Sequence, residues 1–276
     1  MDERLRSGID SIRNDTTSGA TDLVARAAAL VLAAKGDAPA QLAIAAECVR
    51  AQPSMAGMLT LEQVVRTAAD PDSAVQQFAT RLQRAPGLIA RHAVPLLLLG
   101  APLDPSTGQP ALTIVTISRS RAVEETLRLL ATRASVRVRC GEGRPAREGA
   151  VLAGLLGQLG VEVELFSDAG LSAAVPGTTA VLVGADAVGD EWFVNKVGTA
   201  AICALAIQSG VLVYVLAGRD RRVSGREFER LTSREGLALE IQPGALRGVT
   251  VRNPYFERIP VRLASQFVSD GGVQMI

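Results

Sequence analysis

Between residues 112 and 216 the chain alternates five short apolar runs with helical stretches, and few architectures satisfy that alternation. The runs cover residues 112–117, 136–140, 161–166, 180–183 and 211–216, each rich in Val, Ile and Leu. Short runs apolar on both faces have the texture of strands buried in a parallel sheet. Helical patterns over 122–133, 146–159, 168–174 and 200–209 separate them. Strand–helix–strand units of this length cross over right-handedly and place helices on both faces of the sheet. The predicted fold is therefore α/β, with a mostly parallel, doubly wound sheet.

Upstream of residue 100 the texture is different. An Ala-rich run over 23–34 stops at Lys35-Gly36, a second helix runs from 39 to 52, and Thr60-Leu61-Glu62 starts a third. Further helices are predicted over 73–84 and 87–99, each bounded by Pro or Gly. Strand signals are absent from this region. Residues 100–110, GAPLDPSTGQP, form the one convincing linker. The expected organisation is an all-α domain over 1–105 followed by the sheet domain over 106–276. Beyond Gly218 the patterns predict a helix near Glu227-Phe228 and strands over 237–241 and 249–252.

Composition removes several function classes. Lys+Arg of 29 against Asp+Glu of 28 gives a net charge of +1, so nothing predicts direct nucleic-acid binding. The chain has 3 scattered cysteines and 1 histidine, which fits neither a zinc site nor a disulfide framework, and no metal or cofactor is expected. Its charged start is unlike a signal peptide, and its longest apolar run falls far short of the about 20 residues that span a bilayer. The expectation is a cytoplasmic protein without membrane contact. No GxGxxG, GxxxxGK[ST] or GxSxG is present, which disfavours a dinucleotide site, a P-loop and a hydrolase elbow.

In a parallel sheet, polar residues at the carboxyl ends of strands share one edge, where open α/β folds bind ligands. The first strand delivers Ser118, Ser120 and Arg121, and the second Glu142, Arg144, Arg147 and Glu148. The third delivers Asp168, and the fourth Asp186, Asn195 and Lys196. Arginine suits bidentate phosphate recognition, and Arg121 opens a helix whose N–H groups favour an anion. The set reads as a site for a phosphorylated polyol, or else as a solvated charged rim. Cys140 ends a strand near these groups with no base partner in sight, and it reads as structural, as do Cys48, Cys203 and His92.

Several motifs also carry a family resemblance. Gly184-Ala185-Asp186 followed by Asn195-Lys196-x-Gly198-Thr199 resembles GAD…NKxGT. Residues 143–149, GRPAREG, resemble SRPxx[EQ]G with Gly143 for Ser, and Asp168-Ala169 resembles the next D-[AS]-A. Asn253-Pro254-x-Phe256 with Pro260 is similar to a closing NPxFxxxP. Asp15 through Ser18-Gly19-Ala20 resembles D-x-x-SGA, and Pro53-Ser54-Met55 an R-P-[ST]-M segment with Gln52 in place of Arg. Together they identify a member of the family joining the regulatory alpha, beta and delta subunits of translation initiation factor 2B to ribose-1,5-bisphosphate isomerase and 5-methylthioribose-1-phosphate isomerase.

The resemblance implies a helical domain on a Rossmann-like domain, a sugar-phosphate pocket between them that takes in Ser18 and Gly19, and a homodimer through the carboxy-terminal domain. It also implies catalysis by an aspartate, here Asp186, and by a cysteine whose position is Ser118. A serine hydroxyl titrates far above a thiol at about 8.5 and makes a poor acid unaided. Three readings follow. One is an isomerase of a pentose 1-phosphate type substrate, with Ser120, Arg121, Arg144, Asn195 and Lys196 holding it. The others are a sugar-phosphate or nucleotide sensor and a non-catalytic assembly subunit.

Overall fold

The computed structural model describes residues 3–233 and 235–275. Five helices come first: α1 (Glu3–Asn14), α2 (Ala20–Ala33), α3 (Ala38–Ala51), α4 (Ala56–Thr67) and α5 (Pro71–Leu98). Asp37 and Asp70 start α3 and α5 by accepting hydrogen bonds from Ala40 N and Ser73 N, with a proline in each first turn. Leu23, Val31, Ile44, Met58 and Leu61 pack as the centre of the helical core.

The two helices expected over 73–84 and 87–99 are one. Helix α5 runs through Pro86 and Pro95, although an interior proline costs about 3 kcal/mol. Packing on two cores explains the continuity. Val75, Phe78 and Leu82 lie in the helical core, whereas Ala85, Ile89, Val94 and Leu97 lie in a core on one face of the sheet. Full burial of one such aliphatic side chain is worth roughly 1.5–3 kcal/mol, so the contacts outweigh both prolines. Helix α4 likewise begins at Ala56 rather than Thr60, because Ala56 N donates to the Asp186 carbonyl, in the second half of the chain, at 2.9 Å.

The second half runs β1 (Ala111–Ile117), α6 (Arg121–Ala131), β2 (Ser135–Gly141), α7 (Glu148–Gln158), β3 (Glu162–Phe166), α8 (Asp168–Leu171) and β4 (Ala180–Gly184). It continues with β5 (Ala187–Val188), β6 (Trp192–Lys196), α9 (Thr199–Gln208), β7 (Leu212–Leu216) and α10 (Gly225–Glu229). Strands β8 (Phe256–Pro260), β9 (Gln266–Ser269) and β10 (Gly272–Met275) close the chain. The main sheet has 7 strands in the order β10-β9-β7-β4-β1-β2-β3, parallel except for β10. Alternation along each strand feeds two cores: Ile114 and Leu182 face α5, α6 and α7, while Val115, Val181 and Val213 face α9.

The expected α/β doubly wound sheet is therefore present, and in this half of the chain the structure departs from the expected elements as well. Residues 237–241 form a short 3-10 turn at Ala238–Glu240 rather than a strand, and 249–252 form no strand. Strands β9 and β10 extend the sheet unforeseen, each only four residues long. Asn195 and Lys196, expected in a loop, end β6, which pairs with β5 and β8 in a small second sheet. Among the described residues no helix is long and apolar enough to cross a membrane.

Candidate functional site

The chain leaves β1 toward β2 and β3, then returns to lay β4 on the other side of β1. Between β1 and β4 the connections therefore diverge, and this switch point is where an open α/β sheet has its crevice. The end of β1 brings Ser118, and the end of β4 brings Gly184 and Asp186. Close approach there requires glycine: a Cβ on Gly184 would stand 2.8 Å from the Ser120 hydroxyl oxygen. The turn before α2, with Ser18 and Gly19, and Pro86 of α5 roof the crevice, making a cleft between the helical region and the sheet.

Asp186 occupies the cleft, and among the described residues nothing donates a hydrogen bond to its carboxylate. Burial pushes its acid up to about 6; Arg221 and Lys196 oppose that rise, and Glu148 adds to it. The Lys196 ammonium is 2% exposed, 2.7 Å from Glu148 Oε1, and lies over the Tyr255 and Phe256 rings at 4.9 and 5.4 Å. Burial also raises Glu148, with Lys196 partly offsetting it. The pairing of Lys196 with Phe256 between β6 and β8 explains this assembly: it sets the N-K motif beside the N-P-x-F motif.

Two helices point their amino ends into the same space. Helix α6 starts after Ser120 and α2 after Gly19, and neither cap residue's side chain bonds the first turn. Free backbone N–H groups at such ends form an anion site. Arg121 Nη1 reaches Asp22 of α2 at 3.5 Å, bridging the two helix starts. Ser118 lies in the left-handed region, φ 65°, a conformation rare for non-glycine residues and found mainly at sites.

Of the nine residues to which the resemblance gives a catalytic or binding role, eight line this cleft: Ser18, Gly19, Ser118, Ser120, Arg121, Asp186, Asn195 and Lys196. Glu148 from the second strand's cluster joins them, while Glu142, Arg147 and Asp168 do not. Not all are free to act as ligands. The Ser18 hydroxyl donates to Asp15 at 2.8 Å, and the Asn195 amide donates to Thr199 at 3.0 Å, leaving its Oδ1 for a ligand. Arg144 lies apart from the others. It is exposed and lines a separate outer groove beside Asp168, whose carboxylate accepts from Gly143 N and Arg144 N at 2.8 and 2.6 Å. Its strand, β2, lies on the far side of β1 from the switch point.

Sequence reading overlooked Asp220 and Arg221, which follow the fifth strand and also line the cleft. The signal was there: Gly218-Arg219-Asp220-Arg221 is a polar cluster at a strand's carboxyl end, the same rule that singled out the other four. The three thiols are inert by comparison. Cys48, Cys140 and Cys203 are buried and pushed up to about 12 by desolvation. His92 Nδ1 sits 2.9 Å from the Ser269 carbonyl, away from the cleft. No cluster of His, Cys, Asp or Glu able to hold a metal occurs among the described residues.

A doubly wound sheet with a helical region laid over its switch point gathers paired charges in one cleft. The chain belongs to the Initiation factor 2 subunit family, whose model matches residues 5–275. A putative translation initiation factor eIF-2B subunit 2-like protein of Pyrococcus furiosus is 29% identical over 232 residues, covering 82% of this chain and 78% of the relative. A methylthioribose-1-phosphate isomerase of Desulforudis audaxviator is 36% identical over 153 residues, 50% of this chain and 42% of that protein, so the match spans under half of the isomerase. The crystal structure of the Pyrococcus horikoshii translation initiation factor eIF-2B superposes with a TM-score of 0.84 at 22% identity, covering 100% of this chain and 98% of that one. That likeness concerns the fold.

Proposed function

We propose that the cleft binds a phosphorylated sugar and that Asp186 moves a proton on it, in aldose–ketose isomerisation of a pentose 1-phosphate type substrate. One observation carries this reading. A desolvated carboxylate titrating near about 6 faces two uncapped helix starts and a buried lysine in a single cleft. The names of relatives support the substrate class, since they act on methylthioribose 1-phosphate and ribose 1,5-bisphosphate.

The chemistry divides by residue. The N–H groups at the starts of α2 and α6, with Arg121, take the phosphate. Asn195 Oδ1 and the Lys196 ammonium orient hydroxyls of the sugar. Asp186 is mostly ionised at neutral pH and accepts the proton from C2 as the bond from C1 to the ring oxygen breaks and that oxygen takes a proton from solvent. It returns the proton to C1 as the C2 hydroxyl gives up its own to solvent and becomes the ketone, and an acid at about 6 suits both directions. The Ser118 hydroxyl, at the lining of the cleft, donates a hydrogen bond to the oxygen on which charge develops.

A second reading, binding without turnover as a sensor or regulatory subunit, is favoured by Ser118 itself. Ser118 lines the cleft, and among the described residues no side-chain base hydrogen-bonds its hydroxyl. We also propose a homodimer through the sheet domain, because Leu237, Leu239, Ile241, Leu246 and Val249 expose an apolar surface between α10 and β8. Light scattering on the purified protein measures that mass directly.

Thermal shift against pentose 1-phosphates, ribose 1,5-bisphosphate, methylthioribose 1-phosphate and nucleoside monophosphates tests the cleft, followed by NMR for aldose-to-ketose conversion. Stabilisation with conversion is the expected result. Stabilisation without it selects the sensor, and Ser118→Cys then tests whether a thiol restores turnover. No shift with any of them removes the sugar-phosphate reading.

A further inference from the structure

Tyr255 fills the position that the Asn-Pro-x-Phe motif leaves open, and it stands between the cleft and the outer groove. It is 3% exposed and lines the cleft, with the Lys196 ammonium 4.9 Å from the centroid of its ring. That ammonium, 2.7 Å from Glu148 Oε1, makes no hydrogen bond of ordinary geometry among the described residues. Burying a cation without hydrogen bonds is costly, and the face of an aromatic ring can hold one without using an N–H donor.

The ring is itself held from outside the cleft. The Tyr255 hydroxyl donates to Glu240, whose Oε1 and Oε2 lie at 2.6 and 2.7 Å, and Asn253 Nδ2 donates to the same Oε2 at 2.7 Å. Glu240 and Asn253 line the outer groove, which Tyr255 does not. Gly236 closes on this cluster, where a Cβ would collide with the Tyr255 ring, the Asn253 amide and Glu240. The same segment leaves Leu237, Leu239 and Ile241 exposed. A phenol that donates to a carboxylate makes a short, charge-assisted bond and gains electron density on its ring, which deepens the attraction for a cation on the ring face.

We propose that Tyr255 is a positioning residue for Lys196: its ring carries the ammonium, and Glu240, from the exposed segment, fixes that ring through the phenol. Resting on the ring, the ammonium keeps N–H donors for a ligand, so a carboxylate outside the cleft sets a lysine inside it. The assignment rests on the sugar-phosphate reading above for the identity of the ligand, and on the ligand-free geometry for the placement of the lysine.

The chain has two lysines, Lys35 and Lys196, so lysine-selective isotope labelling gives NMR one signal from the cleft and one exposed reference. In the ligand-free protein the Lys196 Cε protons should lie upfield of those of Lys35, shielded by the ring. Tyr255→Leu should move them back toward Lys35, and Tyr255→Phe and Glu240→Gln should move them part of the way. Adding Glu240→Gln to Tyr255→Phe should change little further, because Glu240 acts through the phenol. In calorimetry with ribose 1,5-bisphosphate, Tyr255→Leu should bind about threefold to thirtyfold more weakly than wild type, the range of a desolvated cation–π contact, and Glu240→Gln should lose less. A Lys196 signal that Tyr255→Phe and Glu240→Gln both leave at its wild-type position overturns the assignment, as do additive shifts in the double variant. Affinity that Tyr255→Leu leaves unchanged while the lysine signal moves also overturns it, since a merely structural contact would behave that way. If Tyr255→Leu fails to fold, the two conservative variants decide by the same spectra and titrations. Failure of the wild type to bind ribose 1,5-bisphosphate removes the sugar-phosphate reading alone, and the ligand-free spectra still decide whether Tyr255 places Lys196.

Discussion

The carboxyl edge of the sheet carries two charged clusters, and only one is a site by its physics. At the switch point Asp186, Lys196, Glu148 and Arg221 are enclosed, and their charges act through a poorly screened medium. At the outer end Arg144 and Asp168 stand at the ends of β2 and β3, and Arg144 is exposed. The outer groove is the larger, about 490 Å³ against about 80 Å³, and it is lined by Pro145, Val197 and Ile202 as much as by charge. Size does not pick out the chemistry here; a roof does. Helices α2 and α5 cover the β1–β4 crevice, so identical residue types act as paired, buried charges in one place and as solvated ones in the other.

Asp186→Asn gives the largest separation of the two clusters. Turnover should fall on the order of 10²–10⁴-fold, the share of one general acid–base group, read as the initial rate in the NMR assay. Stability should move the other way. A carboxyl whose folded value lies above its unfolded 3.8 favours folding below 3.8 and loses that contribution as pH rises to about 6. The neutral amide escapes this, so at pH 7 the variant should unfold about 1–3 kcal/mol less readily in urea. Equal stabilities would mean that the carboxylate is solvated and the cleft is open.

Lys196→Met comes next. It strands Glu148 in a buried setting, and breaking such a pair costs about 3–5 kcal/mol. The loss should shrink at acid pH, where Glu148, already shifted upward, takes up a proton. A pH-independent loss would point to packing over Tyr255 and Phe256 as the main role of the side chain.

The loop that roofs the cleft gives a smaller effect. Burial alone would raise Asp15, but hydrogen bonds from the Ser18 backbone and hydroxyl, Thr17 and Arg26 outweigh it and hold the acid at about 2. A depressed carboxyl stabilises the fold above its unfolded value of 3.8 and loses that effect as pH falls to about 2. Asp15→Asn should therefore cost about 1–2 kcal/mol at pH 7 and almost nothing at pH 2, after allowing for solvent at this site. Smallest of all is Arg144→Ala, expected to change ribose 1,5-bisphosphate affinity by no more than about 0.5 kcal/mol. A loss several times larger would extend the site across β1 and dissolve the distinction drawn between the clusters.

How far the sequence reached follows the same line. The apolar runs ending at Ile117, Val183 and Leu216 announced their strands because β-branched residues buried on both faces leave few alternatives. The polar residues just beyond them announced the sheet edge, by a rule of parallel topology. Short strands such as β9 and β10 carry too few residues to show a period, and residues 237–241 looked like a strand only because they are apolar. Helix α5 was read as two, since a proline's local cost is visible in sequence and the two cores that override it are not.

By itself, then, the chain determined its strand order along the sequence, its crossover helices and the set of side chains gathered at one edge. Only the tertiary structure decided which of those side chains are buried together. Strand order in space placed β4 beside β1 and left β2 and β3 outside, and the helical region then covered one half of the edge. Charges interact more strongly where they are buried, and which half of the edge is covered depends on contacts between residues as distant as Ala56 and Asp186.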